Sequence, residues 1–506
     1  MNRHLVLTGF MGAGKSSSVT RLAKALGRPA IDSDQLLEKR LGKSIPKFFA
    51  SHGEAEFRER EQQLIAELLA DDEAAVIALG GGALQSVKTR NALSDHLVVY
   101  LEVDPGMAWQ RVRSSKRPLA TDEKAFHALL TKRRAHYEDC ADAIIANEPR
   151  GALRESLPYL RDLLARPTGP RLIWASGKSW AYPSVFDPGA LTREDLWLAR
   201  RDAVTVTDRN LLKLYPWLAD GIVVPPGETA KTLAEVENVC SQLAEREFVS
   251  GRQLVAVGGG VVGDLAGFAA AIYQRGTPFV QVPTSLVAQV DSAYGGKTGV
   301  DLPAAKNYAG AYHQPDGVLV DTDALTQLPR AELISGYAEV IKTALIAGGR
   351  LWKRISSGVD LAEPFDPWVV FECARTKLSV VAQDERDAGL RQILNLGHTI
   401  GHAIETAAGY GKLRHGEAVS IGLIGAMRLS GNDALRAQVI EICRDAGLPV
   451  KAKGLNVDTV LDRLKLDKKR KGDSVPFVLV EAPGRVTPGH TIPESDIRSA
   501  VKELLK

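Results

Sequence analysis

A glycine-rich loop near the start of the chain constrains the fold of the first part more than any other feature. Residues 9–16 are Gly-Phe-Met-Gly-Ala-Gly-Lys-Ser, directly after a short apolar run at 4–8 and before a helix-forming stretch. A strand, a Gly-x-x-x-x-Gly-Lys-Ser loop and a helix form a P-loop, whose backbone N–H groups surround nucleotide phosphates. The motif therefore predicts a parallel α/β fold that binds a nucleotide, with Lys15 at the phosphates and Ser16 at magnesium.

Length and charge limit what the whole chain can be. Its 506 residues exceed what one hydrophobic core usually supports, which predicts several domains. The net charge of +3 gives no reason to expect a nucleic-acid partner. The four cysteines are far apart, without the spacing of a zinc site or a disulfide framework, and no apolar run is long enough to span a membrane. We therefore expect a cytoplasmic protein without nucleic-acid or membrane partners.

The pattern of apolar residues predicts how the chain is divided. Residues 1–165 alternate short apolar runs with amphipathic stretches, which predicts one α/β domain, and the prolines and glycine of 166–170 predict a linker. Residues 171–323 repeat the α/β pattern, whereas the period from 324 to 506 shifts towards 3.6 and predicts a mainly helical domain. The clearest predicted strands are 4–8, 75–79, 97–101, 171–174, 203–207, 221–224, 254–257 and 279–282. The clearest predicted helices are 332–347, 367–383, 397–407 and 417–429.

Polar residues downstream of the P-loop are candidates for binding the group that accepts the phosphate. Asp32 and Asp34 follow a short apolar segment where a helix begins, so spacing alone leaves open whether they cap that helix or act in chemistry. Three arginines and a glycine triplet are individually just as ambiguous, because most arginines lie on the surface. These residues are Arg58, Gly80, Gly81, Gly82, Arg117 and Arg133.

Together and in this order, these residues resemble the shikimate kinase family over most of residues 1–164. The resemblance implies that Asp34 binds the acceptor hydroxyl and assists its deprotonation, while Asp32 joins Ser16 around Mg²⁺. Two further groups of residues are implied. The ATP site comprises Gly12, Ala13, Gly14, Lys15, Ser16 and the lid residue Arg117, and the shikimate site comprises Asp34, Arg58, Gly80, Gly81, Gly82 and Arg133. Guanidinium groups suit a carboxylate and a transferring phosphoryl group.

A second glycine cluster, in the second part of the chain, points to a dinucleotide. Residues 258–264 are Gly-Gly-Gly-Val-Val-Gly-Asp and contain Gly-x-Gly-x-x-Gly after a predicted strand. The acidic residue that the usual fingerprint places at the end of the next strand is absent, because that strand ends in Pro283-Thr284-Ser285. The glycines still support a close approach of the backbone to a pyrophosphate at a helix N-terminus.

Three histidines in two short segments give the most specific signal. They are His398 and His402, in Gly-His-Thr-Ile-Gly-His-Ala-Ile-Glu, and His415, in Arg-His-Gly-Glu-Ala. His398 and His402 are four residues apart and would share one face of a helix, so spacing alone favours them as a metal-binding pair. With Ala338-Glu339-Val340-Ile341-Lys342, the two segments resemble 3-dehydroquinate synthase from about residue 171 to the end of the chain.

This second resemblance implies cofactors and ligands residue by residue. Zinc, or cobalt, would be bound by Glu339, His398 and His415. NAD would be bound by Asp208, Asn210, Glu228, Lys231, Gly259, Gly260, Asp264, Thr284 and Ser285. The substrate, 3-deoxy-D-arabino-heptulosonate 7-phosphate, would contact Asp291, Lys297, Asn307, Lys342, Lys377, Arg391, Asn395, His402 and Lys469, with Lys468 as an alternative to Lys469. Lys297, Lys342 and His402 would be catalytic, as would Asp34 and Arg117 in the first part.

The two resemblances together imply a bifunctional enzyme of the shikimate pathway. We expect a P-loop kinase domain with a parallel sheet, then a synthase with a Rossmann-like α/β NAD-binding domain and a mainly helical metal-binding domain. The kinase would phosphorylate shikimate, and the synthase would form 3-dehydroquinate and release phosphate, with NAD reduced and then reoxidised. The resemblance also implies a homodimer through the second part. Two alternatives stay open: another sugar-phosphate cyclase in the second part, or a non-catalytic nucleotide-binding module in the first.

Overall fold

The chain folds into two compact units, Met1–Val185 and Phe186–Lys506, in the computed structural model. The structure describes residues 3–113, 122–146, 151–166, 169–249, 251–303, 305–358, 360–361, 364–409, 412–465 and 475–506. Arg117, Lys468, Lys469 and two residues of the predicted linker lie outside these ranges. The division between the units comes after the predicted linker at 166–170, and the functional boundary stays a prediction.

The first unit contains a sheet whose first six strands are parallel to one another, with helices between most of the strands. Its strands are β1 (Leu5–Thr8), β2 (Ala30–Asp32), β3 (Val76–Ala78), β4 (Leu97–Glu102), β5 (Ala143–Ala146), β6 (Arg171–Ser176) and β7 (Ala181–Phe186). Its helices are α1 (Lys15–Leu26), α2 (Ser33–Leu41), α3 (Ile45–Leu69), α4 (Val87–Ala92), α5 (Pro105–Val112), α6 (Glu123–Cys140), α7 (Ala152–Glu155) and α8 (Leu157–Ala165). The strand order is β2-β3-β1-β4-β5-β6-β7, and each pair from β2 to β6 is parallel.

Strand β6 begins immediately after the predicted linker and extends the sheet of the first unit. It pairs in parallel with β5, with Leu172 opposite Ala143 and Trp174 opposite Ile145. The Arg171 side chain donates hydrogen bonds to the carbonyl groups of Ala141 and Glu138. Residues 171–176 therefore pack with the first unit, although the apolar pattern alone assigns them to the second domain.

The second unit contains five strands that pair in parallel, two antiparallel hairpins and a group of helices. Its strands are β8 (Val204–Asp208), β9 (Ile222–Val224), β10 (Leu254–Gly258), β11 (Phe279–Pro283), β12 (Lys297–Leu302), β13 (Ala305–Tyr312), β14 (Gly317–Val320), β15 (Phe477–Ala482) and β16 (Arg485–His490). Its helices are α9 (Leu233–Glu245), α10 (Gly260–Ile272), α11 (Arg330–Ala347), α12 (Gly349–Ser356), α13 (Pro367–Gln383), α14 (His398–Ala408), α15 (His415–Leu429), α16 (Asp433–Asp445), α17 (Val457–Lys465) and α18 (Glu494–Leu504).

The parallel sheet of the second unit has the order β14-β11-β10-β8-β9. The chain runs outward from β8 to β9 and then returns to the other side of β8 to form β10. The topological switch therefore lies between β8 and β10, where open α/β sheets bind their ligands. Strands β12 and β13 form an antiparallel hairpin, as do β15 and β16. The predicted fold class is confirmed, but neither hairpin was predicted.

Glycine contacts bring three helices of the second unit unusually close together. A Cβ atom on Gly422 of α15 would lie 1.9 Å from the carbonyl oxygen of Gly397, which precedes α14. A Cβ atom on Gly416 of α15 would lie 1.7 Å from the carbonyl oxygen of Ser335 on α11. Since no side chain fits at either position, these contacts fix the relative positions of α11, α14 and α15.

Within the described ranges, no helix has both the length and the apolar character needed to cross a bilayer.

Candidate functional site

The P-loop of the first unit has the backbone shape that its glycines predict. Gly9, Gly12 and Gly14 have φ values of 142°, 83° and 86°, and Gly14 precedes the first residue of α1. A Cβ atom on Gly12 would lie 2.8 Å from the carbonyl oxygen of Ala108, so the close approach of α5 requires glycine. Lys15 Nζ donates hydrogen bonds to the carbonyl oxygens of Gly9, at 2.7 Å, and Phe10, at 3.2 Å. The lysine ammonium thus lies inside the loop where phosphates would bind.

The two acids after β2 differ in what they contact. Asp32 Oδ1 accepts hydrogen bonds from the backbone N–H groups of Asp34 and Gln35, at 3.1 and 3.2 Å, and so caps α2. The capping role that spacing left open is therefore present, and the magnesium role stays a prediction. Asp34 lies against the glycine triplet, because its Oδ1 would be only 2.5 Å from a Cβ atom on Gly80.

Two arginines converge beside the same glycines. Arg58 Nη1 lies 2.6 Å from Glu61 Oε2, and its guanidinium occupies the space that a Cβ atom on Gly82 would fill, 2.3 Å from Nη1. Arg133 is buried and donates from Nη1 to the Gly81 carbonyl at 3.2 Å, while its Nε has no hydrogen-bond partner among the described residues. Burial and the nearby Arg58 charge lower the pKa of Arg133. A buried guanidinium with an unused donor beside a second guanidinium fits an anionic ligand such as a carboxylate.

Glu61 belongs to this group, although the sequence analysis did not single it out. Glu61 is buried, and the pKa of its carboxyl group is raised. Burial and the Asp34 charge raise this pKa by more than the Arg58 charge lowers it. The signal that could have identified Glu61 is its spacing three residues after Arg58 on α3, where the two side chains meet on one helix face. An Arg58–Glu61 pair orients the guanidinium that the resemblance assigns to a ligand.

The residues predicted to bind NAD lie after the carboxyl ends of four neighbouring strands. Asp208 ends β8 and accepts a hydrogen bond from the Asn210 backbone N–H at 2.8 Å. The other predicted residues at this edge come directly after three further strands. Glu228 and Lys231 follow β9, Gly259 and Gly260 follow β10, and Thr284 and Ser285 follow β11. The residues predicted to bind NAD thus lie together at the carboxyl edge of the sheet, where the topological switch is.

Close contacts at this edge explain the glycines and the buried lysine. A Cβ atom on Gly259, before the first turn of α10, would lie 3.3 Å from Ser285 Oγ. Lys231 is buried, and its Nζ lies 2.6 Å from Asp264 Oδ2 on α10. Burial lowers the pKa of Lys231, but the Asp264 and Glu228 carboxylates more than offset that effect and raise it. The lysine therefore stays charged beside a glycine-lined helix N-terminus, a combination that suits a pyrophosphate.

Helices α11, α14 and α15 bring a carboxylate and two imidazoles together. Glu339 Oε1 lies 3.1 Å from His415 Nε2 and 3.4 Å from His398 Nε2. One ligand atom from each of the three residues lies within 4.8 Å of the others. His398 Nδ1 lies 3.1 Å from the Leu396 carbonyl oxygen, to which its N–H can donate a hydrogen bond. Nε2 then remains available as a ligand atom. Two imidazole nitrogens and one carboxylate oxygen match the ligand set of a catalytic zinc with an open position.

A chain of buried ion pairs continues from this cluster into α13. Lys342 Nζ lies 2.5 Å from Glu339 Oε2 and 3.2 Å from Asp291 Oδ1, and Lys377 Nζ lies 2.8 Å from the same Asp291 oxygen. Burial alone would raise the pKa of Asp291, but the two lysines lower it to about 2. Burial lowers the pKa of Lys377 to about 8, although Asp291 opposes the shift. A lysine whose pKa burial lowers to about 8, beside a carboxylate, is a candidate for proton transfer.

The remaining predicted substrate residues in the described ranges lie in the β12–β13 hairpin and in the segment that precedes α14. Lys297, at the start of β12, lies 2.6 Å from Asp387 Oδ2. Arg391 is buried and donates to the carbonyl oxygens of Gly295, at 2.9 Å, and Glu385. It therefore joins two loops in this structure, and its predicted contact with substrate stays a prediction. Asn307 is an exposed residue of β13 with φ 52°, and Asn395 ends a 3₁₀ segment, Leu390–Asn395, just before α14.

His402 lies beside the metal cluster but outside the group of three ligands. Its ring centroid is 5.2 Å from that of His398 and 5.9 Å from that of His415, and the residue is exposed.

Asp387 and Glu405 were not assigned a role from sequence, yet each lies against a lysine of the β12–β13 hairpin. The available signal for Glu405 is its position seven residues after His398, on the same face of α14.

We expect Gly416→Ala to weaken metal binding about 10- to 100-fold, which is the range for changes around a metal site that leave the ligands in place. The added methyl group would lie 1.7 Å from the Ser335 carbonyl oxygen and would displace the start of α15, where His415 lies. Such overpacking typically destabilises a protein by about 1–3 kcal/mol. Zinc dissociation constants from a chelator competition titration measure the effect.

Gly425→Ala is the matched control for this prediction. It places the same methyl group on α15, where it would meet the ends of the Ile400 and Leu504 side chains at 2.7 and 3.0 Å. Because those side chains can rotate away, zinc affinity should stay near the wild-type value. Equal affinities for the Gly416→Ala variant and the wild type would show that the backbone contact does not position His415.

Comparison with known proteins gives matches for both units. A family model described as shikimate kinase matches residues 11–158. Models described as 3-dehydroquinate synthase N-terminal and C-terminal match residues 221–335 and 336–470. A 3-dehydroquinate synthase from Streptococcus gordonii is 40% identical over 346 residues, which cover 64% of this chain and 97% of that protein.

Two solved structures also resemble parts of the chain. A 2-deoxy-scyllo-inosose synthase, complexed with carbaglucose-6-phosphate, NAD⁺ and Co²⁺, is 25% identical with a TM-score of 0.59, and covers 66% of this chain and 100% of its own. A shikimate kinase from Acinetobacter baumannii in complex with shikimate is 34% identical with a TM-score of 0.30, and covers 32% of this chain and 93% of its own.

Proposed function

We propose two reactions for this chain, which belongs to the 3-dehydroquinate synthase family and carries a shikimate kinase domain ahead of the synthase. The first part phosphorylates shikimate with ATP, and the second converts 3-deoxy-D-arabino-heptulosonate 7-phosphate into 3-dehydroquinate and phosphate. The protein is thus a bifunctional enzyme of the shikimate pathway, a phosphotransferase joined to a lyase.

The main support for the kinase assignment is that Arg58, Arg133 and Asp34 converge on the glycine triplet next to the P-loop. The two guanidinium groups bind the shikimate carboxylate, and Glu61 holds Arg58 in place. Asp34 receives the proton of the acceptor hydroxyl, whose oxygen attacks the terminal phosphorus of ATP. Lys15 leaves the loop carbonyls to bind the phosphates, and Ser16 and Asp32 hold Mg²⁺ with ATP. Arg117 stabilises the charge on the transferring phosphoryl group.

The chain of ion pairs from Glu339 to Lys377 carries the synthase assignment. Glu339, His398 and His415 are the ligands for zinc or cobalt, and the carboxyl edge of β8–β11 holds NAD. When bound, NAD supplies reversible hydride acceptance and the metal supplies a Lewis acid at the substrate hydroxyl. Zinc and NAD fit because the donor set has two nitrogens and one carboxylate, and because a buried Lys231 stands at a glycine-lined helix N-terminus.

The protein residues of the synthase bind the charged ends of the substrate and handle its protons. With NAD bound, oxidation of a secondary hydroxyl would acidify the neighbouring C–H, and loss of that proton would release phosphate. Return of the hydride would restore the hydroxyl, and ring opening followed by aldol closure would give 3-dehydroquinate without net oxidation. Lys297, Asn395 and His402 bind the phosphate and stabilise the leaving group, with Lys469 from the C-terminal basic cluster. Lys342 and Lys377 hold the substrate hydroxyls beside Asp291, while Asn307 and Arg391 orient the rest of the substrate.

A different sugar-phosphate cyclase is the alternative for the second part, because the inosose synthase shares the fold at 25% identity. The 40% identity to 3-dehydroquinate synthases over 97% of their length favours the heptulosonate phosphate. The presence of Lys15, Asp34, Arg58 and Arg133 disfavours a non-catalytic nucleotide module in the first part.

We further propose that the enzyme is cytoplasmic, which its four free cysteines support.

A homodimer formed through the second part is also proposed. Its support is that seven of the eight large apolar side chains exposed in the described residues belong to the second unit. They are Leu214, Leu233, Val249, Ile272, Tyr308, Tyr312 and Leu390. Light scattering of the full chain measures its mass, and a monomer at working concentration would contradict the proposal.

Two assays on the purified full chain test the proposed reactions. With NAD and zinc, the heptulosonate phosphate should yield equal amounts of phosphate and 3-dehydroquinate. With ATP and magnesium, shikimate should yield ADP and shikimate 3-phosphate. Phosphate release from a hexose phosphate instead of the heptulosonate phosphate would favour the alternative cyclase, and ATP binding without shikimate-dependent turnover would favour the nucleotide module.

A further inference from the structure

Glu405 is a buried carboxylate of the second unit that none of the proposed roles uses. It lies on α14, the helix that begins with the metal ligand His398, and its side chain is only 7% exposed. Burying a carboxylate is unfavourable unless its oxygens are paired. The position of Glu405 therefore calls for partners on both oxygens.

The two oxygens of Glu405 face different groups. Oε1 lies 2.7 Å from Lys306 Nζ on β13, which is a short ion pair between α14 and the β12–β13 hairpin. Oε2 faces His415 Nδ1 at 3.9 Å. Lys306 thus accounts for one oxygen, and the other is directed at the imidazole of a proposed metal ligand.

The geometry of His415 explains why an acceptor is needed there. Its Nε2 is the atom that faces Glu339 Oε1, at 3.1 Å, and belongs to the cluster of ligand atoms. A neutral imidazole that uses Nε2 as a ligand carries its proton on Nδ1, and that proton needs an acceptor to fix the tautomer and the ring plane. For His398 the acceptor is the Leu396 carbonyl oxygen, whereas His415 has the Glu405 carboxylate in front of its Nδ1.

We propose that Glu405 is a positioning residue of the metal site, whose Oε2 accepts a hydrogen bond from the Nδ1–H of His415 while its Oε1 pairs with Lys306. A movement of roughly 1 Å closes the 3.9 Å separation to hydrogen-bond distance. The inference rests on the proposed metal ligands Glu339, His398 and His415 and adds a fourth residue that does not touch the metal. The competing explanation is that Glu405 and Lys306 only attach the hairpin to α14.

Metal affinity distinguishes the two explanations without an activity assay. We expect Glu405→Gln in the full chain to bind zinc about 10- to 100-fold more weakly than the wild type, because an amide is a poorer acceptor than a carboxylate. Lys306→Met breaks the same ion pair from the other side but leaves the Glu405 acceptor in place, so its zinc dissociation constant should stay closer to the wild-type value than that of Glu405→Gln. Chelator competition on the metal-free proteins gives the constants, and cobalt absorption reports on ligand geometry.

Each result of this experiment has one meaning. Wild-type affinity in Glu405→Gln, or equal weakening in Glu405→Gln and Lys306→Met, overturns the inference while the proposed metal site stands. A wild-type protein that binds no zinc overturns the proposed ligands themselves. If Glu405→Gln does not fold, Glu405→Asp replaces it, since aspartate keeps the charge but withdraws the carboxylate from His415. Its zinc affinity should be lower than that of the wild type, and a value equal to the wild type overturns the inference.

Discussion

Replacement of His415 or His398 by alanine should produce a protein that is purified without zinc and has no measurable synthase activity. Each substitution removes one of the two imidazoles that face the Glu339 carboxylate, at 3.1 and 3.4 Å. A site that keeps one coordination position for substrate has only three protein ligands, so the loss of one should weaken binding by more than the roughly 100-fold that outer-shell changes produce. Atomic emission measures the metal content of each variant.

His402→Ala is the matched control, because the three histidine rings lie close together. The ring centroids of His398 and His402 are 5.2 Å apart, which is as close as the 5.4 Å between His398 and His415. The distances between the rings alone therefore cannot separate the two possible pairs. The carboxylate can, because Glu339 Oε1 lies close to Nε2 of both His398 and His415.

We expect His402→Ala to retain zinc and to turn over slowly, since a hydrogen-bonding group would be missing beside the substrate. A rate loss without metal loss separates a substrate contact from a ligand. If His402→Ala lacks zinc while His415→Ala retains it, the helical pair binds the metal and the proposed ligand set is wrong.

The elements that could be predicted from the sequence are those in which local pattern and burial agree. Strand β10 is a continuous apolar run that ends in glycines, and it is fully buried between β8 and β11. The hairpin of β12 and β13 could not be predicted in the same way. It places Lys297, Gly299 and Asn307 in strands, and its pairing, such as Thr298 opposite Ala311, joins polar and small residues without clear alternation.

The division between the two units depends on a contact that no local pattern contains. Prolines and a glycine at 166–170 indicate a break in secondary structure, and regular helix does end at Ala165. Which side the next strand joins depends on long-range pairing, and β6 pairs with β5. A prediction from composition locates the interruption but not the partner of the strand that follows it.

Glycine- and histidine-rich motifs supplied many of the predicted site residues, whereas two acids on an ordinary helix and turn that pair with predicted site residues were not predicted. Glu61 and Asp387 resemble surface acids in sequence, because spacing does not show whether a carboxylate is buried. The burial of Glu61 depends on the tertiary structure around α3, although its partner Arg58 is on the same helix, and Asp387 meets its partner Lys297 only in the folded chain. The roles of all these residues stay predictions until variants are measured.

Replacement of Lys15 should abolish kinase activity and leave the synthase intact. The Lys15 ammonium lies within the P-loop, 2.7 Å from the Gly9 carbonyl oxygen, and no other described lysine was predicted for this site. Removing a positioned donor that stabilises charge in a transition state typically lowers the rate about 10²- to 10³-fold. We expect at least that loss for Lys15→Ala, because the lysine both binds the phosphates and balances their charge.

The synthase rate of the same protein provides an internal standard for the Lys15 prediction. Lys15 belongs to the unit Met1–Val185, whereas Glu339, His398 and His415 all belong to the unit Phe186–Lys506. Lys24→Ala is the matched control, since Lys24 is an exposed residue in the last turn of the same helix and should keep both activities. Shikimate-dependent ADP formation and heptulosonate-dependent phosphate release are measured on one preparation of each variant. Parallel loss of both activities in Lys15→Ala, with Lys24→Ala unaffected, would mean that the two units do not function independently, because a local change in the phosphate loop would then have reached the metal site.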